Sequence, residues 1–564
     1  MSTSSSRIEQ MFPVLTARQM AKARRFASAD ARKFEAGETI FGFGEKAAPI
    51  WIILEGSLEV FRHDGPLNET EVVVHKPGHF TGEVSQLAGR PSLVRGVAGP
   101  EGCVALPFDG AHLRAMVIGS ADIGELVMRA FILRRVALID TGGAGSILLG
   151  VPGSSALTRL QGFLTRSNYP HLVLDCTVDE EGQALVKRLG VAPEDVPVMV
   201  CPNGTVLKHP TELEAAMCLG ITPDIDPEAL YDVAIVGAGP AGLASAVYAA
   251  SEGLKVIVVD ERAAGGQAGA SARIENYLGF PTGISGHALA GRAFNQALKF
   301  GADIALPLAV LDFRPAQQPG EPHFLQLTGE RSVRAKTVVI ASGARYRRPA
   351  VQNIDTFEGA GISYWATPVE ARLCQGEEIA LIGGGNSAGQ AVAYLAPQVR
   401  TLHLVVRRPL EETMSRYLID RIAALSNVVL HVGCEIASVS GNDRTGLSGA
   451  VLRDAAAERS LELALRHLFL FIGADPNADW VRCRVARDKS GFILTGTDAA
   501  TDRSGQHPHP LETSVPNLFA IGDVRSGSTK RVAAAVGEGA AVVAQIHAAL
   551  KSMNNVAEQP LLRR

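Results

Sequence analysis

Cysteine is sparse and scattered in this chain. Cys103, Cys176, Cys201, Cys218, Cys374, Cys434 and Cys483 are the whole set, and no two stand as Cys-x-x-Cys or at a zinc-ligand spacing. That excludes a Cys-x-x-Cys redox pair and a metal site, and an odd number spread through a long chain reads as reduced, mostly buried thiols. Charge of one sign is lacking too. Lys and Arg number 54 against 58 Asp and Glu, a formal charge of −4, without the basic block that follows a phosphate backbone. Nucleic acid is therefore not an expected partner.

Long hydrophobic runs are also missing. Hydrophobic residues make up 46% of the chain, yet stretches such as Ile257 to Val259 fall far short of the ~20 residues that cross a bilayer. The Ser-rich amino terminus lacks the basic, apolar and small-residue order of a secretory signal. The expectation is a cytoplasmic protein with no membrane partner. Its 564 residues exceed what one core organises, and at ~150 residues per domain three or four domains are expected.

From about Phe34 to Pro107 apolar and polar positions alternate, as in Trp51-Ile52-Ile53-Leu54 and Leu58-Glu59-Val60-Phe61. Gly37, Gly44, Gly56, Gly65 and Gly78 punctuate them, the pattern of an antiparallel β-roll. Helices are expected on both sides, Arg7 to Ser28 and His112 to Ile139. With the run Gly78-His79-Phe80-Thr81-Gly82-Glu83, residues 7–139 resemble cyclic-nucleotide-binding domains. The resemblance implies that Gly82 and Glu83 open a short helix facing a cyclic phosphate, with Glu83 on a ribose hydroxyl and Arg90 on the phosphate. Pro91-Ser92-Leu93 departs from that family. Either Arg90 reaches the phosphate from a displaced position, or the pocket is empty and the roll docks on its neighbours.

Residues 145–221 read as strand (Ile147 to Leu149), helix (Ser155 to Thr165), strand (Leu172 to Asp175) and helix (Glu181 to Leu189), then a strand Asp195 to Val200 containing Val196-Pro197. This resembles a thioredoxin or glutaredoxin fold, in which that proline, here Pro197, is usually cis beside the redox centre. The place of the redox cysteine is held by Gly153-Ser154-Ser155-Ala156. A serine hydroxyl cannot cycle between dithiol and disulfide, so a spacer or docking module is expected. The linker Thr222 to Pro227 follows Gly142-Gly143-Ala144-Gly145 as the second boundary.

The chemistry lies beyond it. Strand Asp232 to Val236 runs into Gly237-Ala238-Gly239-Pro240-Ala241-Gly242, then a helix and a strand ending at Asp260-Glu261. The glycines at 237 and 239 allow a tight turn and close approach to a pyrophosphate at a helix amino terminus. Gly242 lets helix and strand pack, and Asp260 or Glu261 accepts ribose hydroxyls. A second fingerprint follows Ile379 to Ile382: Gly383-Gly384-Gly385-Asn386-Ser387-Ala388. After its second strand the acid is replaced by Arg407-Arg408, which suits a 2′-phosphate. The first site suits FAD and the second NADPH.

From Tyr231 to about Leu550 the chain is similar to low-molecular-weight thioredoxin reductases. The motifs are Gly265-Gly266-Gln267 with Ile274-Glu275-Asn276, Val339 to Ala344 containing Gly343, Phe471 to Asn477, Leu518 to Asp523 containing Gly522, and Lys530-Arg531-Val532-Ala533. The resemblance implies that Gly266, Gln267, Asn276, Gly343, Gly522, Asp523, Arg531, Val532 and Ala533 embrace FAD, the helix at Val532 facing the flavin pyrimidine. It also implies an FAD domain of residues 231–346 and 472–550, an NADPH domain of 347–471 inserted in it, and a homodimer. The fold class expected is thus multidomain: a β-roll with flanking helices, an α/β thioredoxin-like domain, and a Rossmann-like flavoprotein disulfide-reductase fold binding two dinucleotides.

One departure decides function. Where the family has its Cys-x-x-Cys, this chain reads Trp365-Ala366-Thr367-Pro368, and Trp365 and Pro368 hold the cysteine places. An indole and a proline cannot relay electrons, and Cys374 has no resolving partner nearby. Trp365 is the expected flavin-facing residue. The family often adds an Arg after the basic pair, where Leu410-Glu411-Glu412 stands here. The expected enzyme is an FAD-dependent NAD(P)H oxidoreductase whose acceptor is oxygen, a quinone-like molecule, a one-electron carrier or an external disulfide. Two alternatives are a cyclic-nucleotide-gated redox sensor and a ferredoxin or flavodoxin–NADP reductase-like enzyme, the latter set back by a tail without aromatics after Lys551.

Overall fold

Alternation in the amino-terminal segment becomes a five-stranded antiparallel sheet of Arg32–Phe34, Thr39–Phe41, Ile50–His63, Glu69–His75 and Val94–Phe108. The computed structural model describes residues 2–558 apart from 64–68, 142–144, 153, 272, 319, 359–360, 367, 443–445, 455–458 and 500–507. Gly65, Gly142 to Ala144, Gly153 and Thr367 lie outside the described residues. The long strands Ile50–His63 and Val94–Phe108 pair along most of their length, shifting register beside Gly56. There φ is +71° and a Cβ would stand 2.1 Å from the Gly102 carbonyl oxygen, so only glycine fits.

The flanking helices differ from the continuous stretches expected. Ser2–Met11 and Ala17–Ala23 are separated by Phe12 to Thr16, because Pro13 cannot donate within a helix and Thr16 caps a new one through Gln19. Gly110–Gly119 and Ala121–Thr141 break at Ser120, whose backbone is extended.

The next segment has a four-stranded sheet in the order His171–Asp175, Ser146–Gly150, Val198–Val200, Val206–Lys208, with helices Ser155–Arg166, Glu180–Leu189 and Glu212–Cys218. The Val196-Pro197 peptide is cis. One expectation is overturned: Cys201 and Cys218 are joined in a disulfide. A strand end and a helix end 17 residues apart in sequence are brought to a Cα–Cα distance of 6.4 Å, a pairing no short motif could signal. Cys103 and Cys374 are free and buried, while Cys176 and Cys434 are free and half-buried.

The carboxy-terminal part holds two parallel-rich sheets. Asp303–Ala305, Val256–Val259, Leu230–Val236 and Ser332–Ile340 run side by side, with Leu518–Ala520 parallel to the last. The second sheet is Ile362–Ser363, His467–Leu470, Glu378–Ile382, Thr401–Val406 and Val428–Val432. Central strands such as Val256–Val259 are buried throughout, as a sheet covered on both faces requires. An antiparallel ribbon of Ala344–Tyr346 and Ala474–Pro476 carries the chain between the two.

The helix Val532–Glu558 closes the fold. Its Val532–Met553 portion is long and apolar enough to cross a membrane by length and composition, and 33% of that window is buried. Ala535, Val542, Val543, Ile546 and Ala549 pack in one core with residues of the Leu230–Val236 strand and of Pro240–Ser251.

Candidate functional site

The first nucleotide cradle is built by glycines that tolerate no side chain. Gly237 has φ +115° and a Cβ there would lie 2.2 Å from the Ala341 carbonyl oxygen; at Gly242 it would lie 1.8 Å from that of Gly237. Gly239 caps the helix Pro240–Ser251, with Pro240 pre-set in its first turn. Gly266, at φ +53°, faces Gly239 so closely that a Cβ would stand 3.1 Å from the Gly239 Cα. These two glycines and the helix amino terminus leave bare backbone where a pyrophosphate fits.

Asp260 is half-buried, and its carboxylate accepts the N–H groups of Ala238 and Arg262, both at 2.8 Å. Burial pushes its carboxyl pKa up. Asp260 thus braces the glycine loop, and Glu261 beside it is exposed, paired to Arg262 at 3.5 Å. Gln267 donates to the Ala344 carbonyl. Asn276 is exposed, next to Glu275, which pairs at 2.6 Å with Arg421 of the second dinucleotide domain.

The carboxy-terminal end of the cradle has Gly522 at φ +71°, Asp523 and the helix that starts at Val532. Burial raises the Asp523 carboxyl pKa, and Lys530 donates to the Asp523 backbone oxygen. Arg531 and Ala533 are exposed at the helix start. Gly343, at φ +66°, meets no atom within 4 Å of a built Cβ. Sequence reasoning missed Glu538. It accepts the Gly522 N–H at 2.6 Å and pairs with Arg525 at 2.6 Å, both side chains largely buried.

The second cradle repeats the first. Gly383 has φ +144°, and a Cβ there would lie 2.3 Å from the Phe471 carbonyl oxygen, while Gly385 is open and caps the helix Asn386–Leu395. Asn386 accepts the Ser415 N–H at 2.7 Å, tying the helix start to the next loop. Ser387 stands in the first turn and Ala388 is buried behind it. The two arginines diverge. Arg408 pairs with Glu412 at 3.6 Å, whereas Arg407 is exposed and makes no ion pair among the described residues. Its guanidinium is open to a 2′-phosphate.

Trp365 lies in this domain, half-buried against the cluster of Ile354, Phe357, Ile362 and Leu468. Its indole N–H donates to Glu370 at 2.9 Å. Tyr364 beside it donates to Glu358 at 2.6 Å and stacks on Tyr346 at 6.1 Å. Tyr346 sits close enough to Asp523 to feel its charge, and burial raises its phenol to about 12. Pro368 opens the helix Pro368–Leu373. Burial raises the Cys374 thiol to about 11, away from the range of a reactive thiolate.

In the β-roll, Gly82 has φ +101° and a Cβ there would meet Ile50 at 2.6 Å. Glu83 is buried, its carboxylate accepting the Ser85 N–H at 3.0 Å and lying 3.4 Å from Arg135. Arg134 donates to the Gly82 carbonyl at 2.8 Å. Arg90 donates to the Ile221 carbonyl at 3.4 Å and lies over the Phe294 ring at 5.3 Å, within electrostatic reach of Glu83 and Arg135. Burial lowers its pKa to about 10. The structure brings Gly82 and Glu83 together and carries Arg90 to a contact between domains.

Residues 231–539 match the family described as pyridine nucleotide-disulphide oxidoreductase, and residues 31–118 match the cyclic nucleotide-binding domain. The NADPH-dependent thioredoxin reductase 3 of Arabidopsis thaliana is 32% identical over 336 residues, 59% of this chain and 60% of that protein. The thioredoxin reductase of Mycoplasma genitalium is 30% identical over 320 residues, 57% of this chain and 95% of that one. The crystal structure of T. acidophilum thioredoxin reductase covers 57% of this chain and 99% of its own, with 26% identity and a TM-score of 0.51.

Proposed function

The chain belongs to the pyridine nucleotide-disulphide oxidoreductase family and is a thioredoxin-reductase-like, FAD-dependent NAD(P)H oxidoreductase; from that premise we propose that it oxidises NADPH and hands the electrons to an acceptor outside its own chain. The observation that carries this reading is the replacement of the family's cysteine places by Trp365 and Pro368. FAD, when bound, supplies the hydride acceptor and the electron store.

The chain's residues supply the rest. Gly237, Gly239 and Gly266 let backbone N–H groups approach one pyrophosphate, and Gly383 and Gly385 do so for the other. Arg407 selects the 2′-phosphate. The amino terminus of the helix at Val532 favours negative charge beside it. Trp365, held by Glu370, covers the approach that a dithiol would otherwise occupy, so the acceptor arrives from solvent: oxygen, a quinone-like molecule, a one-electron carrier or an external disulfide. A homodimer working in the cytoplasm belongs to the same reading.

The test is anaerobic reduction of the yellow holoprotein by NADPH and by NADH, followed by those acceptor classes and by thioredoxin. Bleaching by NADPH, with reoxidation by at least one external acceptor, is expected. Failure to bleach with either nucleotide would overturn the proposal.

The match to the cyclic nucleotide-binding domain favours a second reading, in which a cyclic nucleotide gates flavin reduction. Set against it, Glu83 and Arg90 already serve contacts within the protein. A flavin reduction rate unchanged by saturating cyclic AMP and cyclic GMP would dispose of it.

A further inference from the structure

The disulfide between Cys201 and Cys218 ties together two loops by which the thioredoxin-like domain touches the β-roll, a third contact being that of Arg135 with Asn168 and Tyr169. Two residues after Cys201, Asn203 packs on Gly44 of the roll so closely that a Cβ on that glycine would lie 2.8 Å from the Asn203 Cβ. Two and three residues after Cys218, Gly220 abuts Pro91, where a Cβ on the glycine would lie 2.2 Å from the ring, and Ile221 accepts the Arg90 guanidinium. Thr222 then donates to the Leu306 carbonyl of the FAD domain at 2.5 Å, and Arg90 covers Phe294 of that domain. One covalent bond therefore organises a junction of three domains. Cys201 is 3% exposed and Cys218 is half-buried, so attack is assigned to the Cys218 side of the bond.

We propose that Cys201 and Cys218 form a reversible thiol–disulfide switch that fixes the loops at 201–205 and 219–222 against the β-roll when closed and frees them, with the Arg90 contact, when an external dithiol opens it. A thiolate of the reductant attacks the Cys218 sulfur, the bond to Cys201 breaks, and Cys201 takes up a proton. The reductant's second thiol then displaces Cys218 as a thiol. The dithiol becomes a disulfide, and the protein gains two electrons and two protons. With the bond open, the loops at 201–205 and 219–222 are no longer held in one arrangement. Arg90 then loses the carbonyl that keeps its buried guanidinium paired. The switch does not depend on what the flavin reduces, and its readout needs no turnover.

The experiment compares full-length holoprotein as oxidised with the same protein treated with dithiothreitol under native conditions. Alkylation and peptide mapping follow Cys201 and Cys218, and amide hydrogen exchange follows residues 90–93 and 219–222. The expected result is that both cysteines become alkylated only after reduction, while exchange in both segments rises at least about tenfold, with flavin still bound. The double variant Cys201→Ala/Cys218→Ala should exchange like the reduced wild type whether or not it has met dithiothreitol. Free thiols at both positions in the oxidised protein, a bond that opens only on unfolding, or opening without faster exchange would each overturn the switch.

Discussion

The indole N–H of Trp365 donates to Glu370 at 2.9 Å, in the stretch of sequence where, by the resemblance, thioredoxin reductases carry their cysteine pair. The indole is thereby held in one orientation against the domain core, beside a Tyr364 that is itself tied to Glu358 at 2.6 Å. Two carboxylates thus fix two neighbouring aromatic side chains.

Removing that side chain tests its place. Trp365→Ala is expected to change flavin reoxidation by small acceptors by up to about tenfold, the scale of one lost hydrogen bond and its packing, and to leave the KM for NADPH within about twofold. Stopped-flow reoxidation and steady-state kinetics on one preparation separate the two. An effect confined to KM would remove Trp365 from the acceptor's path.

The two arginines after Thr401–Val406 should behave differently. Arg407→Ala is expected to lower the preference for NADPH over NADH by roughly ten- to a hundredfold, since a charge-assisted hydrogen bond contributes about 1.5–3 kcal/mol. Arg408→Ala should lower it by about threefold at most, because Arg408 is exposed and already paired with Glu412. The ratio of kcat/KM for the two nucleotides is the measurement, and equal effects would count against Arg407 as the selector.

Flavin retention should depend on bare backbone at Gly237. Gly237→Ala puts a methyl 2.2 Å from the Ala341 carbonyl oxygen at a φ of +115°, so the variant is expected to purify without bound flavin. Gly537→Ala, on an exposed helix position with nothing within 4 Å of the new methyl, should keep its colour and gain up to about 1 kcal/mol of stability. The absorbance ratio at flavin and protein wavelengths decides the matter.

Acid should destabilise the FAD domain through His323. Burial lowers its pKa from 6.5 to about 4, and its Nδ1 accepts the Ala316 N–H at 3.1 Å. The folded protein therefore binds this proton less readily than the unfolded chain. Stability is lost as pH falls from about 6.5 towards 4, with an upper bound of about 3 kcal/mol at the acid end, and none of this loss is present above pH 7. His323→Leu should flatten part of the fall in urea midpoint between pH 7 and pH 5. An identical slope in both proteins would show that other buried histidines, such as His75, carry the effect.

Much of the architecture was legible because it is written in short-range pattern. Alternation marked the β-roll, and the fingerprints at Gly237 and Gly383 marked both dinucleotide sites, since a turn that excludes a Cβ leaves its trace within six residues. Pro13 was an equally local signal, and reading straight through it joined two helices that the structure keeps apart. The apolar face of Val532–Glu558 was diluted by alanines and small polar residues, so no uninterrupted run announced its length.

Sequence by itself determined the periodicities, the glycine turns, the loss of a Cys-x-x-Cys and the basic pair at 407 and 408, all properties of neighbouring residues. Tertiary structure alone decided that Arg90 serves an acceptor 131 positions away, that Glu275 meets Arg421 across 146, and that Cys201 finds Cys218. The reason is that side-chain pairing depends on which surfaces meet once the domains have packed. Arginine, glutamate and cysteine carry no local mark of the partner that burial will give them.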